Sequence, residues 1–189
     1  MAPERERING VMKEDLKEIL FSEELIKHRV AELGAQISGD YAGKIPLLIG
    51  VLSGSFIFFA DILRFIDLKC EVRFLMVSSY GLSSSTKGSV NIAAEIDFEI
   101  AGRDVIIVED ILDSGVTISA LRDVITKYVP SSLRICVLLD KPARRQIPVE
   151  VDYVGFQCPD EFLVGYGLDY AERYRNLPYI ASLKPEVYS

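Results

Sequence analysis

The stretch Val105–Ile118, VIIVEDILDSGVTI, decides the fold and poses the chemical question. Four apolar residues, Val105 to Val108, run straight into Glu109 and Asp110; Asp113 adds a third acid, and Ser114, Gly115 and Thr117 lead into another apolar series. Such an apolar run reads as a strand buried on both faces, the kind that parallel sheets contain. Ile118, Leu121, Ile125 and Tyr128 then recur at helical spacing, so the loop between opens a helix. Its N–H groups point outward at the positive end of the helix dipole, a cradle for a single phosphate to which Ser114 and Thr117 can add hydroxyl donors. Gly115 is expected to let that phosphate approach the backbone closely. The loop alone would serve equally as an N-cap and turn. Glu109 and Asp110 are harder to read as structure, because acids at a buried strand end cost free energy unless paired or bridged by a metal. Acids and cradle together fit a sugar phosphate, with ribose hydroxyls and a magnesium-held diphosphate near the carboxylates. Neither a GxxxxGK[ST] loop nor a GxGxxG fingerprint occurs.

Outward from this segment, apolar strands and helical patterns alternate. Ile45 to Leu52 (IPLLIGVL) reads as a buried strand that breaks at Ser53-Gly54-Ser55, and FIFFADILRFI continues as a helix. CEVRFLMVSSYG is a further strand, and LRICVLLDK another that ends at Asp140 and Lys141. Ser22 is placed to cap an earlier helix whose buried face is Ile26, Val30, Leu33 and Ile37. Strict alternation over Val90 to Ile100 predicts an antiparallel strand with Asp97 and Glu99 on its wet face. VDYVGF and EFLVGYG read as short strands. This order predicts an open, mostly parallel, twisted α/β sheet flanked by helices. Ligands bind beyond the carboxyl ends of strands in such folds. Three strand ends carry polar groups, at 53–55, 109–117 and 140–141, and their convergence is the expected site.

Length and composition bound the rest. At 189 residues the chain suits one domain, 1–189, with residues 1–10 a frayed end and the polar run Ser78–Ser89 a mobile loop. The most apolar segment, Phe56 to Ile66, is interrupted by Asp61 and Arg64 and is too short to cross a bilayer, so no membrane association is expected. MAPERERI lacks the apolar run of a secretion signal, which predicts a cytoplasmic protein. A net charge of −7 and a pI near 4.9 speak against a nucleic-acid partner. Cys70, Cys136 and Cys158 are odd in number and far apart, which suits buried thiols. The only histidine, His28, falls on the solvated side of its helix, so Ser-His-Asp, Cys-His and HExxH chemistries are excluded. The remaining means are carboxylates, basic side chains, backbone dipoles and a hard metal ion.

VIIVEDILDSGVTI resembles the 5-phosphoribosyl-1-pyrophosphate signature of type I phosphoribosyltransferases. With VLSGSF, SSYG, LLDKPARR and PDEFLVGYGLDYAERYRNLPYI in the same order, the chain is similar to the hypoxanthine-guanine branch over about residues 20 to 185. The resemblance implies the type I phosphoribosyltransferase fold, with a small base-binding hood built from the chain ends. It implies magnesium-dependent transfer of a phosphoribosyl group from the diphosphate donor to a 6-oxopurine, and a homodimer or homotetramer. Glu109 and Asp110 would then hold the ribose hydroxyls, and Asp113 would be the general base at purine N7. Ser114, Gly115, Val116 and Thr117 would hold the 5-phosphate, while Ser53, Gly54 and Arg175 would bind pyrophosphate. Lys141 would donate to the oxygen at purine C6, Phe162 would stack on the ring, and the Leu163 backbone would face its edge. Magnesium would lie near Glu109 and Asp110 and be reached through water by Asp169. Ser79 and Tyr80 would ride on the loop that closes over the reacting centre. Where many family members carry a lysine before the glycine of the pyrophosphate loop, this chain has Ser53, so one positive charge is missing. Arg144 and Arg145 read as surface charges, with a place on the phosphate side or at an interface the equal alternative that the resemblance implies for Arg145; Tyr166, Tyr170 and Tyr174, at near-helical spacing, are expected in packing. Two alternatives remain: the same chemistry with a preference for xanthine, and a non-catalytic regulator that senses the donor and binds nucleic acid.

Overall fold

The computed structural model describes residues 10–77 and 96–188. A helical turn, α1 (Gly10–Lys13), precedes β1 (Leu16–Phe21) and α2 (Glu23–Asp40). β2 (Leu47–Leu52), α3 (Phe56–Phe65) and β3 (Glu71–Met76) follow, then β4 (Asp104–Leu112), α4 (Val116–Thr126) and β5 (Ser132–Asp140). A 3-10 turn at Pro142–Arg144 leads to β6 (Tyr153–Gln157), β7 (Leu163–Val164), β8 (Ile180–Leu183) and α5 (Pro185–Tyr188).

Five strands form one parallel sheet in the order β3-β2-β4-β5-β6. β2, β4 and β5 lie inside it and are the strands with continuous apolar runs. Residues Val105 to Asp110 are all buried, as a strand covered on both faces requires. One face packs Leu48, Ile106, Val108 and Leu138 against Ile26, Val30, Leu33 and Ile37 of α2 and Phe58, Phe59 and Ile62 of α3. The other packs Ile49, Ile107 and Val137 against Ile118, Leu121 and Ile125 of α4. Ser22 caps α2 as expected, its hydroxyl accepting from the Leu25 N–H at 3.2 Å. The strand order reverses around β2 and β4, so their carboxyl ends border the crevice where open α/β sheets bind ligands.

A second, antiparallel sheet of three strands, β1-β8-β7, joins residues from both ends of the chain. Periodicity does not reveal β1: its burial runs from Leu16 outward with no alternation. The expected strand over 90–100 finds no support where it can be examined, because residues 96–100 lie outside every strand; Asp97 and Glu99 are exposed there. Residues 90–95, the run 78–89 with Ser79 and Tyr80, and residues 1–9 lie outside the described residues. The tyrosines at 166, 170 and 174 are not helical, since Tyr166 and Tyr174 have φ of 51° and 74°. They act as struts: the Tyr166 hydroxyl donates to Asp61 of α3 and the Tyr174 hydroxyl to Asp15 before β1, each at 2.7 Å.

Candidate active site

Glu109 and Asp110 close the unbroken buried run of β4, each only 8% exposed. Burial first, and then the adjacent Asp110 charge, push the Glu109 carboxyl well above the ordinary carboxylate range. Asp110 Oδ1 accepts from the Ile111 N–H at 2.9 Å. Glu109 Oε2 and Asp113 Oδ1 are buried without a hydrogen-bond partner among the described residues. Native proteins rarely leave such acceptors unpaired. The Leu52–Ser53 peptide bond, at the end of the neighbouring strand, is cis.

The loop after Asp113 is held on every side. Gly115, with φ of 83°, caps α4 in the left-handed region. A side chain there would meet the Ile147 carbonyl oxygen at 2.3 Å. On the Cβ side of this glycine the protein's own backbone fills the space, so the turn and the packing of Ile147 both require it. Gly54 has the same kind of explanation, because a Cβ would lie 1.8 Å from Asp110 Oδ2. Main chain at 53–55 thus sits against the β4 carboxylates, and the convergence of strand ends is real. Ser53 itself is exposed, and Ser55 is buried with its hydroxyl donating to the Val51 carbonyl at 2.5 Å. Ser114 Oγ accepts from the Val116 N–H at 3.3 Å, while Thr117 and Val116 are half-buried in the first turn of α4.

Lys141 follows β5 and is 4% exposed. Its N–H donates to the Leu112 carbonyl at 2.9 Å, which places it beside the donor loop. Its Nζ donates to the Glu161 carbonyl at 2.7 Å, leaving two N–H groups for a ligand. That carbonyl immediately precedes Phe162 and Leu163, so the lysine and the expected base-stacking ring are fixed relative to one another. Phe162 stacks on Tyr188 with ring centroids 4.9 Å apart and meets Tyr170 edge-on at 5.3 Å. Leu163 pairs with Ser182 in the small sheet.

Asp169 and Arg175 form an ion pair at 2.9 Å, and Arg175 also donates to the Gly167 carbonyl at 2.8 Å. Gly167 in turn packs on Gly54, whose carbonyl oxygen would lie 2.2 Å from an added Cβ. The hood therefore rests main chain on main chain against the 53–55 loop. Among the described residues, no three His, Cys, Asp or Glu side chains gather as a metal site, so Glu109, Asp110 and Asp169 do not form a protein cage. Arg145 is half-buried rather than a free surface charge: its guanidinium donates to the carbonyls of Asp113 and Leu112 at 3.0 and 3.3 Å and pairs with Asp140. Sequence reading missed Asp140 as its partner; an acid at a strand end four residues before an arginine cluster was the available signal. Cys158 lies near by, its thiol pushed up to about 11 by burial, which keeps it protonated. No helix among the described residues is long and apolar enough to cross a membrane.

The phosphoribosyl transferase domain family matches residues 17–171. The chain is 49% identical over 178 residues to the hypoxanthine-guanine phosphoribosyltransferase of Bacillus subtilis, covering 94% of this chain and 99% of that one. It is 48% identical over 179 residues to the corresponding protein of Streptococcus agalactiae, covering 95% and 99%. The crystal structure of a Staphylococcus aureus hypoxanthine phosphoribosyltransferase superposes with a TM-score of 0.90 at 47% identity, over 96% of this chain and 99% of the other. With a matching fold, a matching family model and nearly half of its residues identical over almost its whole length, the chain belongs to the hypoxanthine-guanine branch of the phosphoribosyltransferase family.

Proposed function

We propose that this chain transfers the 5-phosphoribosyl group of 5-phosphoribosyl-1-pyrophosphate to hypoxanthine or guanine, giving the nucleoside monophosphate and pyrophosphate in purine salvage. The observation that carries the site assignment is the pair of buried, unpartnered carboxylate oxygens of Glu109 and Asp113, set between an α4 N-terminus and the buried Lys141. Departure of pyrophosphate leaves cationic character on the ribose, and these carboxylates would stabilise it. Asp113 would take the proton from purine N7 as the bond to the ribose forms. The free Nζ donors of Lys141 suit an oxygen at C6 and meet an amino group poorly, which favours 6-oxopurines over adenine. Ser114 to Thr117 would hold the 5-phosphate, Glu109 and Asp110 the ribose hydroxyls, and Arg175 with the 53–54 backbone the pyrophosphate. The whole described chain would act as one domain.

Magnesium fits this residue set as a passenger of the donor. The ion commonly binds through one or two carboxylates and substrate phosphates, with water completing its shell. Asp169, and Glu109 and Asp110 on the ribose side, are the carboxylates that would hold it. When bound, it neutralises the leaving diphosphate.

The test is to incubate the protein with donor, magnesium and, separately, hypoxanthine, guanine, xanthine and adenine. Nucleotide is expected from hypoxanthine and guanine. No product with any 6-oxopurine would defeat the reading.

A further inference from the structure

Three consecutive carbonyls at the end of β4 are all claimed by the segment that follows β5. The Leu112 carbonyl accepts from the Lys141 N–H at 2.9 Å and from Arg145 Nη2 at 3.3 Å. The Asp113 carbonyl accepts from Arg145 Nε at 3.0 Å. The Ser114 carbonyl accepts from the N–H groups of Gln146 and Ile147 at 2.9 and 3.0 Å. The Arg145 Cδ lies 3.0 Å, and the Ile147 carbonyl 2.3 Å, from the Cβ position of Gly115. Asp140 anchors the far side of the guanidinium, and its own carbonyl is fixed by the Cys158 N–H at 2.9 Å.

We propose that Arg145 is a positioning residue for phosphoribosyl transfer: its guanidinium, anchored on Asp140, fixes the Leu112 and Asp113 carbonyls and so aims the Asp113 carboxylate and the 114–117 loop. This rests on the function proposed above. The peptide carbonyl and the carboxylate of Asp113 share one Cα, so holding the first fixes the backbone point from which the second departs. The Nε and Nη2 donors of Arg145 go to main-chain carbonyls and to Asp140, so this edge of the guanidinium braces the protein's own loop. The planar fork of nitrogens meets two adjacent carbonyls and a carboxylate at once; an ammonium group cannot reproduce that geometry. The same segment begins with Lys141, so the base-reading lysine and the phosphate loop belong to one hydrogen-bonded unit.

The experiment compares the native protein with Arg145→Lys and Arg145→Gln in steady-state turnover and in amide hydrogen exchange. Both variants should lose roughly 10- to 100-fold in kcat, the scale for a misplaced reacting group, and raise the donor KM. The purine KM should stay within about twofold, because Lys141 keeps its own anchors. Exchange at the 114–117 amides should quicken in both variants while core strand amides stay protected. Native kcat and donor KM in Arg145→Lys would overturn the proposal, since charge alone would then suffice. A lower active fraction with unchanged KM values per active site would overturn it too, as a plain folding defect. Hydrogen exchange needs no turnover, so an inactive native protein would defeat the proposed function while the brace is still judged by the 114–117 amides.

Discussion

The donor side and the base side of the site are built in opposite ways. On the proposed assignment the ribose and phosphate part of the donor side is one continuous stretch, Glu109 to Thr117, at the end of a strand buried on both faces and braced from 141–147. The proposed base side is assembled from Lys141, the 161–163 segment and a three-stranded sheet whose strands come from residues 16–21, 163–164 and 180–183. A contiguous motif on a rigid strand end can be read directly from sequence. An assembled surface depends on pairings that no local pattern records. Changes on the donor side should therefore strike the chemical step, and changes on the base side should strike acceptor affinity and choice.

The largest effect is expected for Asp113→Asn, which leaves a similar shape without a proton acceptor. Nucleotide formation should slow by roughly 10²-fold or more, the scale for a lost general base, with thermal stability nearly unchanged. An unaltered rate would remove that role from the donor side. Lys141→Ala comes next and tests the base side. The purine KM should rise roughly 10- to 100-fold, as for a lost hydrogen bond from a charged donor, and the preference for 6-oxo over 6-amino purines should shrink. Retained preference would place base recognition elsewhere in the hood.

Gly115→Ala sharpens the claim that the donor loop is closed by the protein's own backbone. The left-handed φ and the 2.3 Å approach of the Ile147 carbonyl predict a loss of about 1–3 kcal/mol in denaturant unfolding, together with a weaker donor KM. A variant of native stability would show that the loop can relax.

The smallest effect runs in the other direction. Glu109→Gln removes a carboxylate that burial and Asp110 disfavour, so the ligand-free protein should melt about 2 °C or more higher near neutral pH, the shift that ~1 kcal/mol produces in a domain of this size, while donor turnover falls. A raised carboxyl binds its proton more tightly in the folded chain than in the unfolded one. Stability therefore declines as pH rises from the ordinary glutamate value of 4.5 toward the raised folded value, and the full penalty stands above it. The gap between variant and native protein should widen with pH and close in acid; a gap that does not vary with pH would contradict the assignment.

How far the sequence was legible follows the same division. β2, β4 and β5 announce themselves because burial on both faces demands unbroken apolar runs, and α2 because Ser22 caps a periodic helix. The sheet and its three polar strand ends follow from those elements alone. β1 stays hidden because LKEILF has one mostly exposed face and an irregular register against β8, and β8 because four residues carry too little pattern. The alternation of 96–100 reflects half-buried Ile96 and Phe98 packing on the main core without a strand partner. Gly54 and Gly115 were legible as special backbone positions. Their cause was not, because it lies in Asp110 and Ile147, which are remote in sequence. The partners of Arg145 were hidden for the same reason: they include main-chain carbonyls, which every residue possesses and no residue type signals.

β8 is the middle strand of the hood, hydrogen-bonded to β1 on one side and β7 on the other. During synthesis the five parallel strands and the complete 109–147 donor apparatus precede it, whereas β1, made first, waits for a partner until 180–183 emerges. A chain cut before Ile180 would keep its donor loop and its main core but leave two strands of the acceptor hood unpaired. On the proposed assignment, premature termination or proteolysis there would spare the segment for the activated sugar and dismantle the one that selects what receives it.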